Sequence, residues 1–423
     1  MRVTLYRDRA AGIIGNLLEH YDHALFGLLA PFIAPLFFER SDPVTALILT
    51  YGMLPLGLLT RPLGSLFFGW IGDSFGRRQS LFYSLLGMAF VTTGIGFLPV
   101  YQDIGIWAPL LLALGKMLQS FFAAGESMGG AIFVLEHTPP LKRGLLSSLY
   151  DASSIAGILL ASSLVTYLVS QGRIEECWRF LFWAGGITAI FGLFLRWMTQ
   201  EGPEFAPANR DLNVDSLRVL MKFKVPFFAI LFASGFYYSI YSVVFTLMNG
   251  FIPMITSFSK TAVLQMNTVF HVVDLILLPC FGYLAQKFGK EKVMLIGAIG
   301  AAISAIPLFS ALGHASFEIV IAVRMILMVF GIAFAAPYYA WAMEQVPPCH
   351  RYLILSFGGA LGSLFFGAPA SAICLWLYRL LDWSSAPGLY LTVTGFMAAW
   401  ALIKSREADR QCCKSRPCSN RSV

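Results

Sequence analysis

Glu136-His-Thr-Pro-Pro-Leu-Lys-Arg143 and Glu344-Gln-Val-Pro-Pro-Cys-His-Arg351 share the skeleton E-x-x-P-P-x-x-R at an offset of 208 residues. A second pair, Gly69-Trp-Ile-Gly-Asp-Ser-Phe-Gly-Arg-Arg78 and Gly282-Tyr-Leu-Ala-Gln-Lys-Phe-Gly-Lys290, repeats at an offset of 213. Each copy is a short polar break between long apolar runs, so the chain reads as two homologous membrane halves joined end to end. Duplication of a hydrophobic bundle is how many secondary transporters build a central, alternately accessible site.

Composition supports that reading. Hydrophobic residues make up 57% of the chain and charged residues 13%, with mean hydropathy +0.70, whereas soluble domains carry roughly a quarter charged residues. Apolar runs longer than the ~18 residues that can cross a bilayer recur throughout. Twelve are expected, at about 11–38, 44–71, 79–98, 107–134, 145–170, 178–198, 226–251, 261–284, 293–312, 317–342, 352–378 and 386–404. The fold class is therefore all-α, twelve transmembrane helices in two six-helix bundles. The halves are 1–200 and 226–404, with a linker over 201–225 that ends in a basic amphipathic run and a short tail over 405–423. The first run is too long for a cleavable signal peptide and lacks a small-residue cleavage site, so it is expected to stay as a spanning helix.

Assigning alternate loops to opposite sides puts 22 of the 30 Lys and Arg on one side. Excess Lys and Arg mark the cytoplasm, which places both termini inside. The net charge of +7 then reflects topology and anionic lipid, with no nucleic-acid partner. Of the seven cysteines, Cys349, Cys412, Cys413 and Cys418 fall on the cytoplasmic side, where disulfides are rare. No metal spacing, nucleophile–base pair or phosphate loop appears, so neither a cofactor nor an enzyme is expected.

Ionisable groups inside spanning segments default to a functional reading. Glu19 and Asp22 are three apart on one helix face, and His23 lies four after Glu19 on the same side, making a carboxyl–histidine cluster that suits proton binding and release. His20 points off that face and is expected to be structural. Arg61 lies twelve residues before Asp73, about 18 Å along a helix, so it must meet Glu19, Asp22 or a substrate carboxylate. Gln119 and Glu126 share a face of the fourth segment, with Lys116 nearby to pair with Glu126 directly or through neighbours. Asp151, His271, Asp274 and Arg324 complete the set, with Asp274 and Arg324 expected to neutralise each other.

The stretch Gly69, Asp73, Gly76, Arg77, Arg78 after a second membrane helix, with its degenerate echo in the second half, resembles the signature loop of the major facilitator superfamily. That resemblance implies a cytoplasmic latch holding an outward-open state. Gln286 replaces the acid in the second copy, so the latch is expected to be asymmetric, and Arg77 and Arg78 are expected to anchor the loop at the anionic surface. Gly15-Asn-Leu-Leu-Glu-His-Tyr-Asp-His-Ala-Leu-Phe-Gly27, Arg61-Pro-Leu-Gly-Ser-Leu-Phe-Phe-Gly69 and Gly125-Glu-Ser-Met-Gly-Gly130 resemble the metabolite:proton symporter family over residues 10–205. The resemblance implies a monomeric inner-membrane symporter of a bacterium. It would carry protons with a small zwitterion such as proline or glycine betaine, or else a dicarboxylate or keto acid. It also places Glu126 near the transport path and, through Lys116, favours the osmoprotectant branch. For such a substrate Tyr338 and Trp341 become candidates for caging a quaternary ammonium. A sensor that has lost transport is disfavoured by the retained acids and the complete first loop motif.

Overall fold

The computed structural model describes residues 2–38, 43–202, 214–314 and 316–415. Arg40, Arg210, linker residues 203–213, Cys418 and the end of the tail lie outside the described residues. Among the described residues, twelve long helical segments carry the fold. They are α1 (Arg2–Phe37), α2 (Pro43–Ser74), α3 (Arg77–Phe97), α4 (Trp107–Glu136), α5 (Arg143–Ser170), α6 (Ile174–Trp197), α7 (Lys224–Ile255), α8 (Lys260–Phe288), α9 (Lys290–Ser310), α10 (Phe317–Glu344), α11 (Pro348–Leu381) and α12 (Ala386–Ser415). Segments α3 to α12 are long and apolar enough to cross a membrane. At 36 and 32 residues, α1 and α2 exceed the ~20 that a bilayer requires. Among the described residues there is no strand.

The duplication reappears as repeated packing. In the first half α1 packs on α5, α2 on α4, and α3 on α4 and α6. Six helices later α7 packs on α11, α8 on α10, and α9 on α10 and α12. The halves meet along two further pairs with the same relation, α2 with α11 and α5 with α8.

Three departures from the expected boundaries have local causes. Helix α1 starts at Arg2 rather than near residue 11, because its polar first turns dock on the end of α4, with Arg9 donating to the His137 carbonyl at 2.8 and 2.6 Å. Helix α12 continues past residue 404 to Ser415, with a Lys404–Glu407 pair at 2.8 Å where this extension begins. The linker holds a short helix, Val214–Lys222. Irregular backbone is concentrated at mid-chain in the second half. Helix α7 widens to a π-turn over Ser242–Leu247, and α11 does so over Ser363–Gly367 before Pro369. Such backbone is tolerated at membrane depth only where it lines a cavity or is buried in protein.

Candidate functional site

At one end the halves are locked by the loop motif. Asp73 lies at the end of α2, yet its carboxylate serves the start of α11, accepting from the amides of Tyr352 and Leu353 at 3.1 Å each. The first amides of a helix have no partner within it, and an acid there is favoured by the dipole. One half therefore caps a helix of the other. Arg77 is buried and bonds Asp73 at 3.0 Å, Glu136 at 3.4 Å and the Pro348 carbonyl at 2.5 Å. Arg351 reaches Glu136 at 2.8 Å, so the first copy of E-x-x-P-P-x-x-R contributes its acid and the second its arginine to one cluster. The expectation that Arg77 anchors the loop at lipid is corrected: it sits inside this cluster. Arg78 instead donates to the Trp197 carbonyl at 2.5 Å, at the end of α6.

Gly76 has φ 119°, a left-handed turn that lets α3 restart within two residues. Gly69 lets α2 approach the α11 backbone, where an added Cβ would meet the Leu353 Cα at 2.8 Å. Glu201, just beyond α6, caps α3 by accepting from the Arg77 and Arg78 amides at 2.8 and 3.1 Å. In the second copy of the motif, Glu344 pairs with Lys290, and no carboxylate stands at Gln286.

Beyond the latch a cavity of about 460 Å³ opens between the halves. Glu19, His20, His23, Arg61 and Ser127 line its first-half wall, and Tyr237, Tyr238, Tyr241, His271 and Tyr339 its second-half wall. The π-turn residues Ser242, Phe245, Thr246, Ser363 and Gly367 complete it. Asn16 fixes this face of α1 by donating to the Tyr150 carbonyl and to Ser153 and Ser154 on α5, each at 2.8 Å. Arg61 donates to Ser127 at 2.5 Å and, among the described residues, pairs with no carboxylate. Arg61 itself lines the cavity.

Several expected partners are rearranged. His20, not His23, pairs with Glu19, at 2.9 Å, and it lines the cavity rather than turning away. Asp22 turns toward α6 instead, where its Oδ1 is buried without a hydrogen-bond partner. Lys116 does not pair with Glu126. It bonds Gln119 at 2.8 Å and lies 4.9 Å from the Phe26 ring centroid, while Gln119 reaches Thr92 at 3.0 Å. Glu126 pairs with Arg196. Arg324 does not neutralise Asp274: it bonds the Asn267 amide oxygen at 2.6 Å and the Val244 carbonyl at 2.9 Å. Tyr338 and Trp341 are fully buried behind the wall, with Tyr338 stacked on Tyr237 at 5.3 Å, so the α10 aromatic that lines the cavity is Tyr339. Lys116, Gln119 and Glu126 likewise sit behind the first-half wall. Arg196 was not among the residues singled out in the sequence; the signal for it was Glu126, a buried acid in need of a cation. Among the described residues no group of three His, Cys, Asp or Glu is placed to hold a metal.

A family model described as "Sugar (and other) transporter" matches residues 10–229, and one described as "Major Facilitator Superfamily" matches residues 236–415. A relative from Staphylococcus aureus strain MSSA476, provisionally designated a proline/betaine transporter, is 30% identical over 403 residues, covering 91% of this chain and 85% of its own. The proline/betaine transporter of Escherichia coli K12 is 28% identical over 401 residues, covering 90% and 80%. Among solved structures, a double-tryptophan mutant of XylE superposes with TM-score 0.77 at 18% identity, covering 94% of each chain. The E. coli fucose:proton symporter FucP superposes with TM-score 0.70 at 12% identity, covering 96% of this chain and 99% of that one. These two likenesses establish the fold. With its repeated helix pairing, its interlocked loop motifs and matches spanning both halves, the chain belongs to the major facilitator superfamily of multi-pass membrane transporters, and it is not an enzyme.

Proposed function

We propose that this transporter is a proton-coupled symporter that moves a small zwitterion, such as glycine betaine or proline, by alternating access. The observation that carries the reading is the pair of opposite charges on one cavity wall. Glu19 supplies the acid, and Arg61 supplies a guanidinium bonded to Ser127 and to no carboxylate among the described residues. A guanidinium offers parallel donors that match a substrate carboxylate. The facing wall carries four tyrosines, Tyr237, Tyr238, Tyr241 and Tyr339, and aromatic rings attract an ammonium. A dicarboxylate or keto acid is favoured less, because Arg61 is the single Lys or Arg among the described residues lining the cavity. The names of the S. aureus and E. coli relatives point the same way.

In this reading residues 1–200 and 226–404 rock as two bodies joined by the linker at 201–225, and a monomer suffices. The excess of Lys and Arg assigns the latch end and both termini to the cytoplasm, so the closed latch leaves the cavity facing outward. Gly69, Asp73, Gly76, Arg77 and Arg78 form the gate. Glu19 and Asp22, with His23 beside them, bind the coupling proton; Lys116, Gln119 and Glu126 brace that wall. The test is uptake of labelled betaine, proline, ectoine, 2-oxoglutarate, citrate and xylose by vesicles containing the purified protein, each with and without a pH gradient. Gradient-driven accumulation of betaine or proline is expected. Accumulation of citrate, 2-oxoglutarate or xylose in their place contradicts the reading.

A further inference from the structure

Asp151 has no part in the proposal above, yet it is bonded across the two halves to a tyrosine that lines the cavity. It lies eight residues into α5, about 12 Å from the latch end of that helix, and is 2% exposed. Its Oδ1 accepts from the Tyr237 hydroxyl of α7, in the other half, at 2.6 Å. Its Oδ2 is buried with no hydrogen-bond partner. One turn further along α7, Tyr241 donates to Oδ1 of Asp274 on α8 at 3.2 Å, and Oδ2 of Asp274 is likewise buried and unpartnered. The two tyrosine rings are 5.4 Å apart and both line the cavity.

The titratable groups facing Asp151 are Tyr237, Tyr238 and Tyr241 on α7, Tyr339 on α10, Asp274 on α8 and His20 on α1. Among the described residues no Lys or Arg pairs with either carboxylate. A carboxylate held at membrane depth by one neutral donor is costly, whereas a proton on Oδ2 removes the charge.

We propose that Asp151 is a second proton-carrying carboxyl whose access alternates with the two halves, a proposal that rests on the proton-coupled reading above. Tyr237 comes from the opposite half, so the rocking that opens the latch must break its bond to Asp151. With the latch closed, Asp151 is reached from the cavity past Tyr237. With the latch open, the parting of α5 from α7 exposes it on the other side. One proton passes from water in the cavity to Oδ2 and later returns to water across the membrane; no other bond changes and no co-reactant is needed.

The test is infrared difference spectroscopy of the purified full-length protein in lipid, titrated from acid to alkaline pH, on the parent, Asp151→Asn and Tyr237→Phe. A titrating carboxylic-acid C=O band is expected in the parent. It should vanish in Asp151→Asn and move to higher frequency in Tyr237→Phe, which removes the donor and leaves the acid. Identical titrations of the parent and Asp151→Asn overturn the proposal. Should Asp151→Asn fail to fold, Asp151→Glu displaces the same band, and an undisplaced band overturns the proposal. In vesicles, gradient-driven uptake of labelled glycine betaine should fall roughly tenfold or more in Asp151→Asn while counterflow persists, since exchange moves no net proton. Loss of counterflow together with accumulation, at normal expression, also overturns it. Parent protein that takes up betaine without moving protons refutes the coupled reading instead, and the infrared titration then decides Asp151 by itself.

Discussion

Replacing Asp73 with Asn should open the latch. In the closed structure the carboxylate accepts from the Tyr352 and Leu353 amides across the interface and from Arg77 within its own half. Asn keeps one acceptor oxygen and turns an NH2 toward the second amide, so one inter-half hydrogen bond is lost and the charge at the start of α11 disappears. A hydrogen bond to a charged group contributes about 1.5–3 kcal/mol, and a charge at a helix end roughly 0.3–1 kcal/mol more. The closed state should therefore lose about 2–4 kcal/mol, a shift of roughly 30- to 1000-fold in the open-to-closed ratio at 1.4 kcal/mol per decade. Phe75 and Phe288 occupy equivalent places in the two loop motifs and are 55% and 56% exposed. Spin labels at these two positions, in a background without native cysteines, report the separation of the latch ends by double electron–electron resonance. A longer-distance population should dominate in Asp73→Asn, with helix content and expression unchanged. A distance distribution identical to the parent's refutes the argument that Asp73 holds the halves together.

Arg61→Lys keeps the charge but loses the planar pair of donors, so zwitterion affinity should fall by about 1–3 kcal/mol, or roughly 5- to 150-fold in Kd; unchanged binding in a scintillation proximity assay would count against carboxylate capture. Asp22→Asn should abolish accumulation under a pH gradient while sparing counterflow, with Glu19→Gln showing a milder split. Accumulation that persists with alkalinisation of the medium moves the proton site off α1. Burial pushes the Glu201 carboxyl up despite its amide donors, so the docked segment binds a proton more tightly than the released one. Docking therefore strengthens as pH falls into the carboxyl range and weakens as pH rises through the raised value. Amide exchange at Arg77 and Arg78, corrected for intrinsic pH dependence, should slow on acidification in the parent and stay flat in Glu201→Gln; the opposite slope sinks the assignment.

The architecture was legible because membrane helices announce themselves by length and hydropathy, and because the motif pairs near residues 69 and 282, and near 136 and 344, mark equivalent places in two bundles. What the sequence hid was pairing across space. Helical periodicity put Glu19, Asp22 and His23 on one face, but α1 packs against α5 on one side and α6 on another, which turns Asp22 away and brings His20 to the cavity. Arg196 drew no attention because it stands one residue from the end of α6, yet it lies beside Glu126 once α4 and α6 are placed. The Tyr237–Asp151 bond joins residues 86 apart in different halves, and no local pattern encodes that separation. The π-turns of α7 and α11 were equally silent, since widening a turn changes the backbone without altering composition.

The central claim is that substrate and proton cross together through the cavity holding Glu19 and Arg61. Its most direct test is simultaneous recording of labelled glycine betaine uptake and external pH with vesicles containing the purified protein, at zero membrane potential and no imposed pH gradient. Entry of betaine down its own gradient should alkalinise the medium in fixed proportion to the betaine taken up, and Arg61→Ala should abolish both signals together. Betaine uptake with no accompanying proton movement, or uptake undiminished in Arg61→Ala, would contradict the account.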